Sequence, residues 1–239
     1  MTSASVRLER APAAVLFAAA LLGGLALGGS AARADITENI DTPNAALSGF
    51  TGPYATVDIT AVDPNTANIV VTSLTNVNGQ TFLIGSTSAV DLNINVGAGT
   101  YTLGTVTETG VSGGGFTPTL NPTSPNTPAT VDAFGGFNLS LNNLDGFTNA
   151  ASSVSFQITN SSGLWTSDAA VLVNNAGGYN AAIQAYACTA PCIASARVIA
   201  TGFAAKVPEP TSLTLLGTGL AGLGLARRVR RRSKNLPSY

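Results

Sequence analysis

Apolar and polar residues alternate along much of the chain between residues 54 and 203. In the clearest run, residues 90–96, one set of alternate positions is apolar and the other is polar: Val90, Leu92, Ile94 and Val96 against Asp91, Asn93 and Asn95. Because successive side chains of a strand point to opposite faces, this pattern predicts a strand with one buried and one solvent-facing side. Residues 153–159 follow the same rule, so the pattern indicates a β-protein.

Turn signals divide this region into short segments. Strands are predicted at residues 54–62, 67–74, 80–84, 89–96, 100–109, 134–141, 153–159, 169–173, 179–188 and 193–203. Asn78-Gly79 is a strong hairpin signal, whereas residues 181–185 are also compatible with a short helix. Short strands with frequent turn signals predict an all-β fold, namely a single β-sandwich, with the jelly roll as one arrangement that fits.

Glycine and proline interrupt the alternation between residues 110 and 130. Three glycines occupy positions 113–115, and prolines follow at 118, 122, 125 and 128. Such a density of breakers predicts a long surface loop without strand or helix. The loop belongs to one extended domain or links two small ones. We favour one domain, residues 35–207, because neither half has an obvious complete core.

The N-terminal segment has the order of a secretory signal. Arg7 and Arg10 precede an apolar stretch at residues 11–27, and Ala32 and Ala34 form an A-x-A cleavage site. Residues 1–34 are therefore predicted to be a signal peptide with a helical apolar region, exported by the Sec machinery and removed by signal peptidase. The alternative is an uncleaved signal anchor.

The C-terminal segment, residues 208–239, has three parts in sequence. Pro208-Glu209-Pro210 is followed by an apolar stretch and then by the basic residues Arg227, Arg228, Arg230, Arg231 and Arg232. A helix over about residues 211–226 would be ~24 Å long, slightly short of a ~30 Å hydrocarbon core. We predict a transmembrane helix whose arginines remain cytoplasmic as a membrane stop. The alternative is a helix buried in a globular core.

Val207, Pro208, Glu209 and Pro210, followed by an apolar helix and an arginine run, resemble the PEP-CTERM sorting signal of exported bacterial proteins. The resemblance implies an exosortase, a membrane-embedded transpeptidase-like cysteine protease, as the processing partner. It also implies that these four residues are recognised rather than catalytic. An inner-membrane-anchored intermediate would then reach the cell surface or the medium. Some ice-binding proteins end in a similar tail.

Charge is distributed unevenly between the body and its ends. Residues 35–207 contain two basic and ten acidic residues, a formal charge of −8, although the whole chain carries −1. Phosphate binding needs clustered lysine and arginine, so nucleic acid is not an expected partner. The same charge disfavours acidic polysaccharide unless divalent cations bridge the two.

Few residues offer site chemistry. The chain has no histidine and two cysteines, Cys188 and Cys192, which are predicted to form a disulfide after export, with free thiols as the alternative. No metal site or cofactor is predicted, although Asp58, Asp63 and Asn65 are considered as calcium ligands. Trp165 is either a sugar-stacking residue or part of the core.

These observations predict a protein that is not an enzyme. The favoured function is an envelope or extracellular-matrix protein associated with exopolysaccharide and biofilm. A carbohydrate-binding or adhesive module is the alternative, and ice binding is disfavoured because no regular threonine array of constant period is visible. A hydrolase would need two of the body's carboxylates to meet across a cleft.

Overall fold

The computed structural model describes residues 35–77, 79–86, 88–110, 119–120, 129–142, 149–193, 196–206 and residue 220. Over these residues the chain is all-β, as the alternation predicted. The strands are β1 (Ile36–Ile40), β2 (Thr42–Pro43), β3 (Ala55–Ala61), β4 (Thr66–Ser73), β5 (Thr75–Val77), β6 (Gln80–Gly85), β7 (Val90–Leu92), β8 (Tyr101–Leu103), β9 (Thr107–Thr109), β10 (Thr119–Leu120), β11 (Ala129–Val131), β12 (Gly135–Phe137), β13 (Leu139–Asn142), β14 (Ala150–Ala151), β15 (Ser153–Asn160), β16 (Ala181–Ile193) and β17 (Ala196–Lys206). Short 3-10 helices occur at Ala45–Leu47 and Asp168–Ala170.

Most of the strands form two antiparallel sheets. The first sheet has the order β1-β3-β4-β15-β8, and β9 also pairs with β15. The second sheet has the order β10-β13-β7-β16-β17-β2. In the second sheet β6 pairs with β16, β5 and β14. A separate hairpin joins β11 to β12.

The apolar faces of the two sheets contribute to one hydrophobic core. Strand β3 alternates fully buried and half-buried positions along its whole length, which is the burial pattern expected for a strand with one core face. Val57 and Phe156 enter the core from the first sheet, and Ile84 and Ile183 enter it from the second. The body therefore has one contiguous apolar centre under both sheets.

The structure departs from the predicted elements at several places: β1, β2, β5 and β14 were not predicted, and the predicted strand 89–96 is strand only at Val90–Leu92. Residues 169–173 are not a strand, because the chain there forms a 3-10 helix and then a single bridge between Leu172 and Ile94. The region between residues 110 and 130, predicted to be a loop without strands, contains strand residues, because β10 pairs with β13 and β11 pairs with β12. In the region 110–130 the partner strands supply hydrogen bonds that the local sequence did not indicate. The stretch 181–185 is strand, within β16.

None of the helices in the described ranges is long and apolar enough to span a membrane. The predicted signal helix lies outside those ranges, and so does the predicted transmembrane helix apart from Leu220, which is helical and exposed. The same holds for the cleavage residues Ala32 and Ala34, for residues 207–210 and for the arginine run.

Candidate functional site

The outer face of the first sheet carries a polar and almost uncharged surface. In β3, β4 and β15 every second residue enters the core, so the residues between them point away from it. We call these outward residues, with their neighbours on β1, β8 and β9, the hydroxyl face. It comprises Thr37, Asn39, Thr56, Asp58, Thr60, Thr66, Asn68, Val70, Thr72, Thr102, Thr107, Thr109, Ser153, Ser155, Gln157 and Thr159. Among them only Asp58 is charged and only Val70 is apolar.

Strand register arranges the hydroxyl face in rows that run across the sheet. One such row contains, in spatial order, Asn39, Thr56, Thr72, Ser153 and Thr109. Neighbouring strands of a sheet lie ~4.8 Å apart, so the side chains of a row are within reach of one another. The hydroxyl oxygens of Thr72 and Ser153 are 3.3 Å apart. The face is therefore a grid of hydroxyl and amide groups held by the sheet backbone.

Hydrogen bonds between these side chains fix the grid further. Gln157 Nε2 donates to Asn68 Oδ1 at 3.1 Å, and the hydroxyls of Thr102 and Thr159 are hydrogen-bonded to each other. Thr37 donates to Asp58 at 2.5 Å. A hydroxyl has one donor and two acceptor positions, so each group retains capacity for a ligand or water.

A groove opens in this face where the chain leaves the sheet. Strands β8 and β9 both pair with β15. Three residues, 104–106, connect β8 to β9, but only two β15 residues, 156 and 157, lie between the paired positions. The connection therefore contains one extra residue. Gly104 N still donates to Gln157 O at 2.8 Å, and Val106 packs against the core. The groove has a volume of about 340 Å³ and is lined by Asn68, Ile69, Val70, Thr105, Thr107, Ser155 and Phe156. No charged side chain of the described residues lines it.

A second polar position lies on the other sheet. Asp91 on β7 is fully buried, with Ser140 and Ala182 as its register partners. Neither its oxygens nor the Ser140 hydroxyl makes a well-oriented hydrogen bond among the described residues. Burial raises the pKa of Asp91 well above its ordinary value, and the neighbouring Ser140 hydroxyl offsets part of that rise. Asp91 is an internal acid rather than a surface group.

Other polar groups have evident structural roles. Asp168 accepts the backbone N–H of Ala61 at 2.6 Å, and Asp63 accepts that of Asn65 at 2.7 Å. Within the described ranges no three or more His, Cys, Asp or Glu side chains are grouped as metal ligands. Burial raises the pKa of Tyr101 to about 12, and its hydroxyl donates to Asn138 O at 2.7 Å. Asp168, Asp63 and Tyr101 each make a hydrogen bond within the fold.

Trp165 is a core residue and not a glycan contact. Its side chain is 0% exposed, and its indole Nε1 donates to Asn95 O at 2.8 Å. A ring needs an exposed face to stack on a sugar, so the assignment of Trp165 as a possible glycan contact is wrong. The alternative reading from sequence, a residue of the core, agrees with this burial.

Cys188 is buried in β16 and is disulfide-bonded. Cys192 belongs to the same strand and is the other cysteine of the chain. Their pairing remains a prediction. The register of β16 against β17 shifts between Cys188 and Ile193, which marks an irregularity at this end of the hairpin.

The fold and the polar face define an all-β protein with a hydrogen-bonding surface that is almost uncharged. Residues 206–232 match the family model of the PEP-CTERM protein-sorting motif. The match includes residues 207–210 and the arginine run, as the resemblance predicted. The protein is therefore an exported, surface-directed protein of the kind that an exosortase sorts. No curated protein and no solved structure matches the chain.

Proposed function

We propose that the protein is a non-catalytic component of the extracellular matrix that associates with exopolysaccharide through its hydroxyl face. The observation that carries this proposal is the combination of a sorting motif with a five-strand-wide surface of threonine, serine, asparagine and glutamine. Polysaccharides present hydroxyl donors and acceptors at similar density. A rigid grid of the same groups can bind them without ordering flexible side chains.

The route to the matrix follows from the two ends of the chain. The Sec machinery exports the protein, and signal peptidase cleaves after Ala34. The segment at about residues 211–226 then holds an inner-membrane intermediate until the exosortase acts near Pro208-Glu209-Pro210. The two sheets around one core support classification of the body as a β-sandwich of jelly-roll type, stabilised by a Cys188–Cys192 disulfide.

We also propose that the protein is not an enzyme. The described carboxylates that are buried, Asp91 and Asp168, belong to different elements, β7 and the second 3-10 helix. General acid–base work needs a titrating group within reach of a substrate. The hydroxyl face and its groove offer hydroxyls and amides instead, which bind but do not exchange protons near neutral pH.

Fractionation of the producing cells tests this function. We expect the exported protein to co-sediment with the extracellular polysaccharide and to be released when that polysaccharide is digested enzymatically. A strain that makes no exopolysaccharide is the control and should lose the sedimenting fraction. Protein that stays in the clarified medium of both strains would contradict matrix association.

A further inference from the structure

We propose that the groove between β4, β15 and residues 104–107 is a binding subsite for a short unit of an uncharged polysaccharide. This inference rests on the proposed function and narrows it to one place on the hydroxyl face and one class of ligand. Ligand pockets generally have volumes of roughly 300–1,000 Å³. The groove, at about 340 Å³, suits a small unit rather than a long stretch of chain.

The lining supplies hydrogen-bonding groups of both kinds. Asn68 Oδ1 accepts from Gln157 Nε2, and the Nδ2 group of Asn68 carries two donor positions. Ser155 Oγ donates to Thr107 O at 3.3 Å, so its oxygen retains acceptor capacity. The hydroxyls of Thr105 and Thr107 both donate and accept. A sugar hydroxyl needs this mixture, because it is itself a donor and an acceptor.

The groove also has an apolar side chain, which completes the match to a sugar. Val70 lies beside Ser155 in the strand register and is the outward-facing apolar residue of the lining, whereas the side chains of Ile69 and Phe156 are buried in the core beneath it. Sugar rings present C–H groups on one face and hydroxyls at the edge. An apolar side chain among polar ones accommodates both, as in other ligand sites that combine apolar lining with a few polar groups.

The charges of the groove and of the body favour an uncharged polymer. Among the described residues no charged side chain lines the groove, and the acidic Asp58 is the register partner of Val70 on the adjoining strand. The body as a whole contains ten acidic and two basic residues. An anionic polymer would meet like charge and no compensating cation, so an uncharged polymer is favoured.

The groove is open to solvent, so one site alone binds weakly. A polymer repeats its unit many times, and attachment of several protein molecules to one chain raises the overall retention without any new contact. We therefore expect tighter binding to a long polymer than to the corresponding short oligosaccharide.

Affinity electrophoresis of the exported protein tests this site. Native gels containing dextran, galactomannan or polygalacturonate give an apparent Kd from the retardation. The groove variant Asn68→Ala/Thr107→Ala removes two polar groups of the lining. The control Asn174→Ala/Thr166→Ala makes the same two kinds of change at exposed positions outside the hydroxyl face. The single variants Thr107→Ala and Thr166→Ala form a second matched pair, and urea midpoints establish that each variant is folded.

We expect retardation by at least one neutral polymer and little by polygalacturonate. The groove variant should raise the apparent Kd about tenfold, since two hydrogen bonds are lost, and the control should change it less than about twofold. Equal increases of the apparent Kd in the groove variant and the control would contradict binding in the groove. They would not contradict matrix association. A preference for polygalacturonate would also overturn it. No retardation of the wild type by any neutral polymer overturns the inference, and co-sedimentation with the native matrix then decides the proposed function separately.

Discussion

At the scale of single residues, Asp91 departs most from what the alternation predicts. It occupies a polar position of the pattern and was expected to face solvent, yet it is 0% exposed. Its register partner Ala182 belongs to a second apolar cluster with Val131, Phe134 and Phe137, from the β11–β12 region. The residues that cover this face come from about forty positions later in the chain. The alternation within one strand does not show whether a distant segment packs on its polar face, so the burial of Asp91 could not be predicted.

The buried carboxyl makes stability depend on pH. Because burial raises the pKa of Asp91, the folded chain holds a proton that the unfolded chain releases above about pH 3.8. The stabilisation is complete below that pH and declines as the pH rises toward the folded-state pKa. In the variant Asp91→Asn the side chain keeps nearly the same shape and carries no charge at any of these pH values. The variant should match the wild type near pH 4 and exceed its free energy of unfolding at pH 7 by on the order of 1–3 kcal/mol.

Urea denaturation at several pH values between 4 and 8 measures this difference. Asp41→Asn, which changes an exposed carboxylate, is the matched control and should leave the pH dependence of the wild type in place. Parallel stability curves for Asp91→Asn and the wild type across the whole range would contradict an internal acid at this position.

At the scale of elements, most strands could be located from the sequence. The predicted segments 54–62, 67–74 and 153–159 correspond to β3, β4 and β15, where the alternation is regular. The alanine-rich start of β16 was ambiguous because alanine favours helix. Pairing with β17 on one side and β7 on the other determines it as strand. The groove could not be predicted, because it depends on the extra residue between β8 and β9.

Gly85 is a close-packing point between elements of the second sheet. A Cβ atom there would lie 2.6 Å from Tyr186 Cε2 and 2.7 Å from Asn149 O. The first contact involves a buried ring of β16, and the second involves the backbone that precedes β14. Neither neighbour is the far end of a flexible side chain. Gly85→Ala should therefore lower the free energy of unfolding by about 1–3 kcal/mol, as overpacking does.

Thermal or urea unfolding of Gly85→Ala measures the effect. Gly49→Ala is the control, because a Cβ atom there has no neighbour within 4 Å, and surface changes of this kind alter stability by less than about 0.5 kcal/mol. If the two variants were equally stable, the packing of Gly85 against Tyr186 would not hold the sheet together as described.

At the scale of the whole molecule, the ends and the body have separate roles. The sorting motif occupies residues 206–232 and directs the protein to the surface. The body supplies an acidic all-β module, and we propose its almost uncharged hydroxyl face as the interaction surface. The motif was readable from sequence because its elements are contiguous. The hydroxyl face was only partly readable, since it combines alternate residues of six strands that the topology brings together.

The central claim is that the tail is a processing signal and not part of the working protein. Mass spectrometry of the C-terminus, on protein from the membrane fraction and from the extracellular fraction, tests it most directly. We expect extracellular protein to end near Pro208-Glu209-Pro210 and to lack the arginine run, while the membrane fraction retains some full-length chain. Extracellular protein that still ends in Tyr239 would contradict the account.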